Sequence, residues 1–187
     1  MDMNLILGKT MKNIVEGLII AGCLFFSIIA QATDFTMTSD SILDEGLIPT
    51  KYTCDGKNIS PHLAWTKPPA KTKSFALITT GNDIPGKTSY HWIIYNIPEA
   101  TKTLPEDVKL SSGMQIAKNS WDMENYRGPC GPRGSTLVYI FTLYALDSKL
   151  QLPPHTDATG VLNAMQKHII AKVSINSTYN RWASTEN

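Results

Sequence analysis

The sequence lacks a charge excess of either sign, because 17 basic side chains face 16 acidic ones in 187 residues. Proteins that bind the phosphate backbone of nucleic acids usually carry a basic excess, so the composition argues against such a partner. The sequence also has no HExxH and no CxxC motif, two common zinc-binding patterns. We therefore expect no nucleic-acid partner, no bound metal and no cofactor.

Long hydrophobic runs are equally scarce, and the main one extends from Leu18 to Ala30. It follows Lys12, and Ala30-Gln31-Ala32 matches the small-x-small pattern of a signal-peptide cleavage site. The run is shorter than the roughly 20 residues of a membrane-spanning helix. We expect residues 1–32 to be a cleaved signal peptide and residues 33–187 to form one periplasmic or secreted domain, without stable membrane insertion after cleavage.

A lipoprotein signal is the alternative for this segment, because Ile20-Ala21-Gly22-Cys23 resembles a lipobox. Two features disfavour it. Glu16 lies where a lipoprotein signal should be apolar, and the strongest apolar run, Leu24 to Ile29, follows the cysteine. We favour cleavage after Ala32.

Cysteine is rare, with three residues in the whole chain. Removal of the signal peptide leaves only Cys54 and Cys130, in an oxidising compartment. An even cysteine count in that setting predicts a Cys54–Cys130 disulfide, and two separate buried thiols are the alternative.

Apolar patterning predicts a mainly β domain of packed sheets with a Greek-key-like order. The segment from Asn119 to Gly134 is expected to be a long loop, a feature typical of functional or disordered segments. One helix is expected from about Gly160 to His168, with Asp157 or Thr159 as its cap. Strands are expected at about 34–39, 63–65, 74–80, 91–97, 115–118, 137–146 and 170–178, and residues 101–114 are expected to be a loop.

Two polar residues stand out at the ends of adjacent predicted strands. Asp83 follows the strand 74–80 in a Pro-Gly turn, and His91 begins the next strand, so both side chains can converge on one pocket. A partly protonated imidazole can hold an anion, and backbone amides of the glycine-rich segment 128–134 can add donors. Alone, the pattern is weak, because such an acid is more often a turn former and such a histidine more often a packed core residue.

Four segments of the sequence form a recognisable set in their order and spacing. The segments are Cys54-Asp55-Gly56-Lys57-Asn58-Ile59-Ser60-Pro61, Asp83-Ile84-Pro85-Gly86 with His91-Trp92 and Asn96-Ile97-Pro98, Gly128-Pro129-Cys130, and Phe141-Thr142-Leu143-Tyr144-Ala145-Leu146-Asp147. Together they resemble the phosphatidylethanolamine-binding protein family, also called Raf kinase inhibitor-like proteins, and in particular its bacterial secreted branch. The resemblance extends from about Phe35 to Tyr179. It implies a β-sandwich-like fold with a small pocket at one end that accepts phosphate, phosphorylated groups or acetate.

The resemblance also implies a set of ligand-binding residues, with two departures from the family pattern. Gly81 stands where the family usually has an acid, and Leu137 stands where it has a histidine. The pocket should therefore be less polar than usual, with weak anion affinity that rises as pH falls. Arg133 is a candidate replacement cation, although a solvated side chain is the simpler interpretation. The implied set is Asp83, His91, Tyr126, Gly128, Pro129, Pro132 and Tyr139.

Three functions remain open. The first is a secreted or periplasmic binding module for a small anionic or phosphorylated ligand, such as a phospholipid headgroup. The second is an interaction protein with a degenerate pocket that modulates a kinase, protease or other protein. The third is an enzyme using Ser89 and His91, which would share a face of one strand. We do not expect catalysis, because the sequence has no Gly-x-Ser-x-Gly elbow.

Cleavage of the signal peptide gives a direct prediction. Protein purified from its native host should begin at Thr33, because the small-x-small site ends at Ala32. N-terminal sequencing checks this. A lipid-modified Cys23 at the N-terminus would instead establish the lipoprotein alternative.

Overall fold

A computed structural model describes residues 35–111 and 113–182. The predicted signal peptide, its lipobox alternative and the domain boundary at residue 32 lie outside these ranges and stay predictions. Among the described residues, no helix is long and apolar enough to cross a membrane.

Within the described ranges, eight strands form two antiparallel sheets. The smaller sheet has the order β1-β2-β5 and the larger has the order β6-β4-β3-β7-β8. A short 3-10 turn, Thr50–Tyr52, and the helix α1, Ala158–Met165, complete the described elements. The strands are β1 (Thr36–Thr38), β2 (Leu63–Thr66), β3 (Ser74–Ile84), β4 (Lys87–Pro98), β5 (Thr103–Leu104), β6 (Gln115–Ile116), β7 (Ser135–Leu146) and β8 (Ile169–Arg181).

The large sheet separates two hydrophobic layers. On one face, Phe75 and Ile94 pack with Trp65 of the small sheet in the main core. On the other face, Ile78 and Ile93 pack with the helix in a second apolar cluster. Strand β3 is buried on both faces, which explains its nearly continuous apolar sequence. The predicted mainly β fold with packed sheets and one helix near the C-terminus is confirmed.

The structure corrects the predicted ends of the central hairpin. Strand β3 continues to Ile84 and β4 begins at Lys87, so the turn consists of Pro85 and Gly86 alone. Proline at the first central position and glycine at φ +71° at the second are typical of a type II turn. Asp83 therefore lies in strand β3, whereas the sequence predicted it in the turn.

His91 is also misplaced by the sequence prediction. It lies in the interior of β4, not at a strand start, and its side chain is fully buried. The prediction was wrong because Lys87 to Tyr90 are mostly polar, yet they pair with the end of β3. Backbone pairing lengthened this hairpin beyond its apolar segment.

Two smaller differences concern the end of the helix and the segment 101–114. The helix ends at Met165, three residues before the predicted end, and Asp157 caps it by accepting a hydrogen bond from the Gly160 N–H at 2.8 Å. The segment predicted as a loop at 101–114 contains β5, which is only two residues long. Its Leu104 is fully buried and pairs with Leu63 of β2, a contact that local sequence does not reveal.

The predicted disulfide is confirmed, with Cys54 bonded to Cys130 across a sequence separation of 76 residues and a Cα–Cα distance of 5.4 Å. It ties the long loop, residues 119–134, to the segment after the 3-10 turn. The backbone strengthens this junction, because the Cys54 N–H donates to the Pro129 carbonyl at 3.1 Å.

Removal of this crosslink should destabilise the domain. For a loop of this length, the chain-entropy model gives an upper figure of roughly 4 kcal/mol in the free energy of unfolding. Urea titration of the Cys54→Ser/Cys130→Ser double variant under oxidising conditions measures the loss. Reductant should lower the stability of the wild-type protein and leave that of the double variant unchanged, and equal stability of the two proteins without reductant would contradict the prediction.

Candidate functional site

The central hairpin brings an acid and an imidazole together through an irregularity in its pairing. Thr79 pairs with Trp92 and Thr80 pairs with Tyr90, so His91 has no partner of its own and forms a β-bulge. Bulges often redirect a side chain next to functional sites. Here the His91 ring meets Asp83, which lies eight residues earlier on the neighbouring strand.

Four side chains form what we call the Asp83 cluster: Asp83, Ser89, His91 and Tyr139. The His91 Nε2 and the Ser89 hydroxyl contact one carboxylate oxygen, and the Ser89 contact measures 3.0 Å. Tyr139 donates its hydroxyl to the other oxygen. Three donor side chains thus converge on one buried carboxylate, and the Asp83 side chain is only 5% exposed.

The second nitrogen of the imidazole is also engaged. His91 Nδ1 lies 2.8 Å from the carbonyl oxygen of Arg127, and the Arg127 N–H donates to the His91 carbonyl at 3.1 Å. A carbonyl only accepts, so Nδ1 carries a proton. With Asp83 as a carboxylate, Nε2 must donate as well. His91 and Asp83 then form a buried ion pair with no net charge.

The electrostatics of the cluster keep its acid ionised. Burial alone would raise the pKa of Asp83, but hydrogen bonds from His91 and Tyr139 outweigh it, and the pKa lies below the usual range. Burial also raises the pKa of Tyr139, and its hydrogen bond to Asp83 adds to this effect. Tyr139 therefore remains a protonated donor at physiological pH.

Aromatic rings and the long loop close the cluster from solvent. The centroid of the Trp121 ring lies 4.9 Å from that of His91, and the Tyr139 ring lies 5.2 Å from it, both with edge-type geometry. The Arg127 guanidinium lies over the Trp121 ring, 4.2 Å from its centroid. His91 and Tyr139 have no exposed surface as a result.

The two departures from the family pattern have structural consequences. A Cβ atom on Gly81 would lie only 2.7 Å from the Tyr139 ring and 2.9 Å from the His91 Nε2. The cluster therefore occupies the space that an acid at position 81 would need. Leu137 packs against Gly131, where a Cβ would lie 2.2 Å from the Leu137 side chain. A hydrophobic contact stands where the family has an imidazole.

The structure brings together only part of the predicted ligand set. Asp83, His91 and Tyr139 meet in the cluster. Gly128 and Pro129 are buried in the long loop, and the Gly128 N–H donates to Asn58 Oδ1 at 2.8 Å instead of facing the cluster. The predicted Pro132 is exposed.

Tyr126 belongs to a different part of the molecule. Its ring packs edge-on against Trp92 with centroids 5.4 Å apart, and its hydroxyl donates to the Tyr52 carbonyl at 2.7 Å. Both rings line a separate cavity of about 350 Å³, together with Asn58 and the acids Asp107 and Glu124. Tyr126 and Arg127 are adjacent in sequence, yet the Tyr126 side chain lines the cavity and the Arg127 side chain packs on Trp121.

Sequence reasoning missed the two outer members of the site, Trp121 and Arg127. The only available signal was their position in a long loop next to the Gly128-Pro129-Cys130 segment. Arg133, the cation considered from the sequence, is exposed. It acts with Arg181 in lowering the pKa of Asp55, away from the cluster.

The arrangement also differs from a Ser-His-Asp relay. Ser89 and His91 share a face, as expected, with 3.2 Å between the hydroxyl and Nε2. Asp83 contacts that same nitrogen, whereas a relay places the acid and the nucleophile on opposite ring nitrogens. The geometry positions donors around a carboxylate, not a nucleophile beside a base.

Comparison with known proteins agrees with this fold. The profile of the phosphatidylethanolamine-binding protein family matches residues 38–180. The chain belongs to the phosphatidylethanolamine-binding protein family. A UPF0098 protein of Methanothermobacter thermautotrophicus is 42% identical over 142 residues, covering 74% of this chain and 93% of the relative.

Two further proteins are similar to this chain. A solved structure from Chlamydia trachomatis, described as a phosphatidylethanolamine-binding protein homologue, aligns with a TM-score of 0.73 and 31% identity. It covers 79% of this chain and 97% of that one. A Mycobacterium tuberculosis protein whose name marks it as a candidate lipoprotein, LppC, is 37% identical over 70% of this chain and 63% of its own length. The predicted family resemblance is confirmed.

The lowered pKa of Asp83 predicts acid sensitivity. A carboxyl with a depressed pKa in the folded state stabilises the protein above its unfolded pKa of 3.8, and this contribution is lost as pH falls through the folded value. Replacement Asp83→Asn should cost about 3–5 kcal/mol at neutral pH, because it breaks a buried pair and removes the carboxylate acceptor of three donor side chains. The variant should also lose less stability than the wild type on acidification.

Urea unfolding between neutral and acid pH measures both effects. Asp40→Asn is the matched control, because the Asp40 side chain is 95% exposed. The control should keep the wild-type profile. An Asp83→Asn protein with wild-type stability at neutral pH would contradict the ion pair.

Proposed function

We propose that this member of the phosphatidylethanolamine-binding protein family is an exported binding module for a small anionic or phosphorylated ligand, such as a phospholipid headgroup. One observation carries the proposal: three donor side chains converge on a single buried oxyanion, the Asp83 carboxylate. Donors fixed in this way stabilise a negative oxygen without reorganisation. The ligand's anionic group binds at this end of the domain, where the cluster meets the long loop.

Export is supported by three separate features. The N-terminal run with its small-x-small site is typical of a signal peptide. The Cys54–Cys130 disulfide suits an oxidising compartment. The name of the LppC relative also points to a protein handled by an export pathway. The proposed location is the periplasm or the exterior.

Affinity should be weak at neutral pH, because the cluster already contains its own anion. A ligand must share the donors with Asp83 or displace it, and the ionised Asp83 repels a second negative group. Protonation of the Asp83 carboxyl, whose lowered pKa places this step in strongly acidic solution, removes the repulsion. Anion affinity should therefore rise as pH falls.

Calorimetric titration with inorganic phosphate and with phosphoethanolamine, at about pH 3 and about pH 7.5, tests the proposal. We expect saturable binding that is stronger at the lower pH. Tyr139→Phe removes one donor hydroxyl and should weaken binding several-fold, about 1 kcal/mol. Tyr144→Phe, the same change on the same strand outside the cluster, should leave it unaltered. Tight binding that is independent of pH would contradict the role of the cluster.

A second candidate function is that of an interaction protein acting on another protein. The closure of the cluster favours it, because His91 and Tyr139 have no exposed surface and Asp83 already engages the donors. This candidate predicts no saturable binding of either phosphate probe at either pH. Such a result would reject the ligand-binding proposal in its favour.

A further inference from the structure

Beyond the cluster, two loop side chains extend the site outward. The Arg127 guanidinium carbon lies 4.2 Å from the centroid of the Trp121 ring, and that ring in turn contacts His91. The Arg127 backbone is fixed as well, because its N–H and its carbonyl both bond to His91. Stacking occupies one flat face of a guanidinium and leaves its N–H edge available to an acceptor.

The charge of Arg127 has no ion pair among residues 35–111 and 113–182. Its nearest acidic neighbours in sequence have other partners: Asp122 pairs with Lys118 at 2.8 Å, and Glu124 pairs with His155 at 2.9 Å. The Arg127 Nε is buried and has no hydrogen-bond partner in the described part of the chain. A buried N–H without an acceptor is unfavourable, and a native protein seldom retains one without a purpose.

The Asp83 cluster cannot supply the positive charge that would balance an anionic ligand. Its imidazolium and carboxylate cancel, and its remaining donors, Ser89 and Tyr139, are neutral. A ligand with a full negative charge therefore needs a cation outside the cluster. Arg127 lies next to it and is held by Trp121 and by hydrogen bonds of its backbone N–H and carbonyl to His91. Its charge has no ion pair among the described residues.

We propose that Arg127, stacked on Trp121, binds the oxyanionic group of the ligand, a carboxylate or a phosphate, at the outer side of the Asp83 cluster. This assignment rests on the proposed anion-binding function and names the residue that matches the ligand's charge. A guanidinium offers two parallel N–H donors to two oxygens of such a group, which a lysine cannot do. Arg127, which directly precedes the Gly128-Pro129-Cys130 segment, thus determines which anions this chain prefers.

Arg133 provides a matched control within the same loop. It is exposed, and its charge acts on Asp55 rather than on the cluster. Arg127→Gln and Arg133→Gln remove the same charge and differ only in position. Arg127→Lys keeps the charge but loses the planar fork.

Titration of the purified protein with inorganic phosphate, phosphoethanolamine and acetate tests the assignment. The Arg127 Nε–H resonance in nitrogen-15 NMR should shift with saturation. Arg127→Gln should weaken phosphate binding about tenfold, the loss expected for charge-assisted hydrogen bonds. Arg127→Lys should retain part of the affinity, and Arg133→Gln should change it by no more than about twofold. The three probes distinguish free phosphate, a headgroup phosphate and a carboxylate.

Each outcome decides the assignment. Wild-type affinity in Arg127→Gln, or a titration that does not move the Nε–H resonance, overturns it. If binding then still depends on Tyr139, the anion-binding function stands and lies within the cluster alone. If no probe binds to the wild-type protein, both proposals fail together.

Discussion

The burial of one carboxylate organises this end of the molecule. Asp83 is almost inaccessible to water, and an ionised carboxylate is tolerated there only because His91, Tyr139 and Ser89 all contact it. Removing any partner leaves a charge or a donor unsatisfied in a dry environment. The bulge at His91 serves this constraint, because it turns the imidazole towards the acid across the hairpin.

The same constraint explains why the chain departs from its family at two positions. Gly81 has no side chain because the Tyr139 ring and the His91 ring occupy the adjacent space. Leu137 covers Gly131 of the long loop with an apolar contact. The result is a compact cluster in which the charges of His91 and Asp83 cancel. The cluster therefore has fewer polar groups than the family pattern, and the neighbouring Arg127 has no ion pair within the described residues.

The long loop is held by bonds spread along its length. Its middle is fixed by two hydrogen bonds of the Arg127 backbone, one to the His91 carbonyl and one from the His91 imidazole. Its later part is fixed by the Gly128 bond to Asn58 and by the disulfide at Cys130. A loop fastened in this way can present Trp121 and Arg127 in fixed positions, as a binding site requires. The loop residues that match the family segments thus hold the loop in place.

The sequence by itself determined the mainly β class, the long buried strands, the capped helix and the disulfide, because each leaves a local signal or follows from a count. Continuous apolar runs located β3 and β7, and two cysteines left only one pairing. The sequence also identified Asp83, His91 and Tyr139 through the family motifs. Tertiary structure alone decided how these three use their hydrogen bonds, because the bulge, the backbone carbonyl of Arg127 and the closeness of Gly81 to Tyr139 depend on pairing between strands. It also separated Tyr126 from Arg127, since adjacent residues of a fixed loop point into different surroundings according to what packs against them.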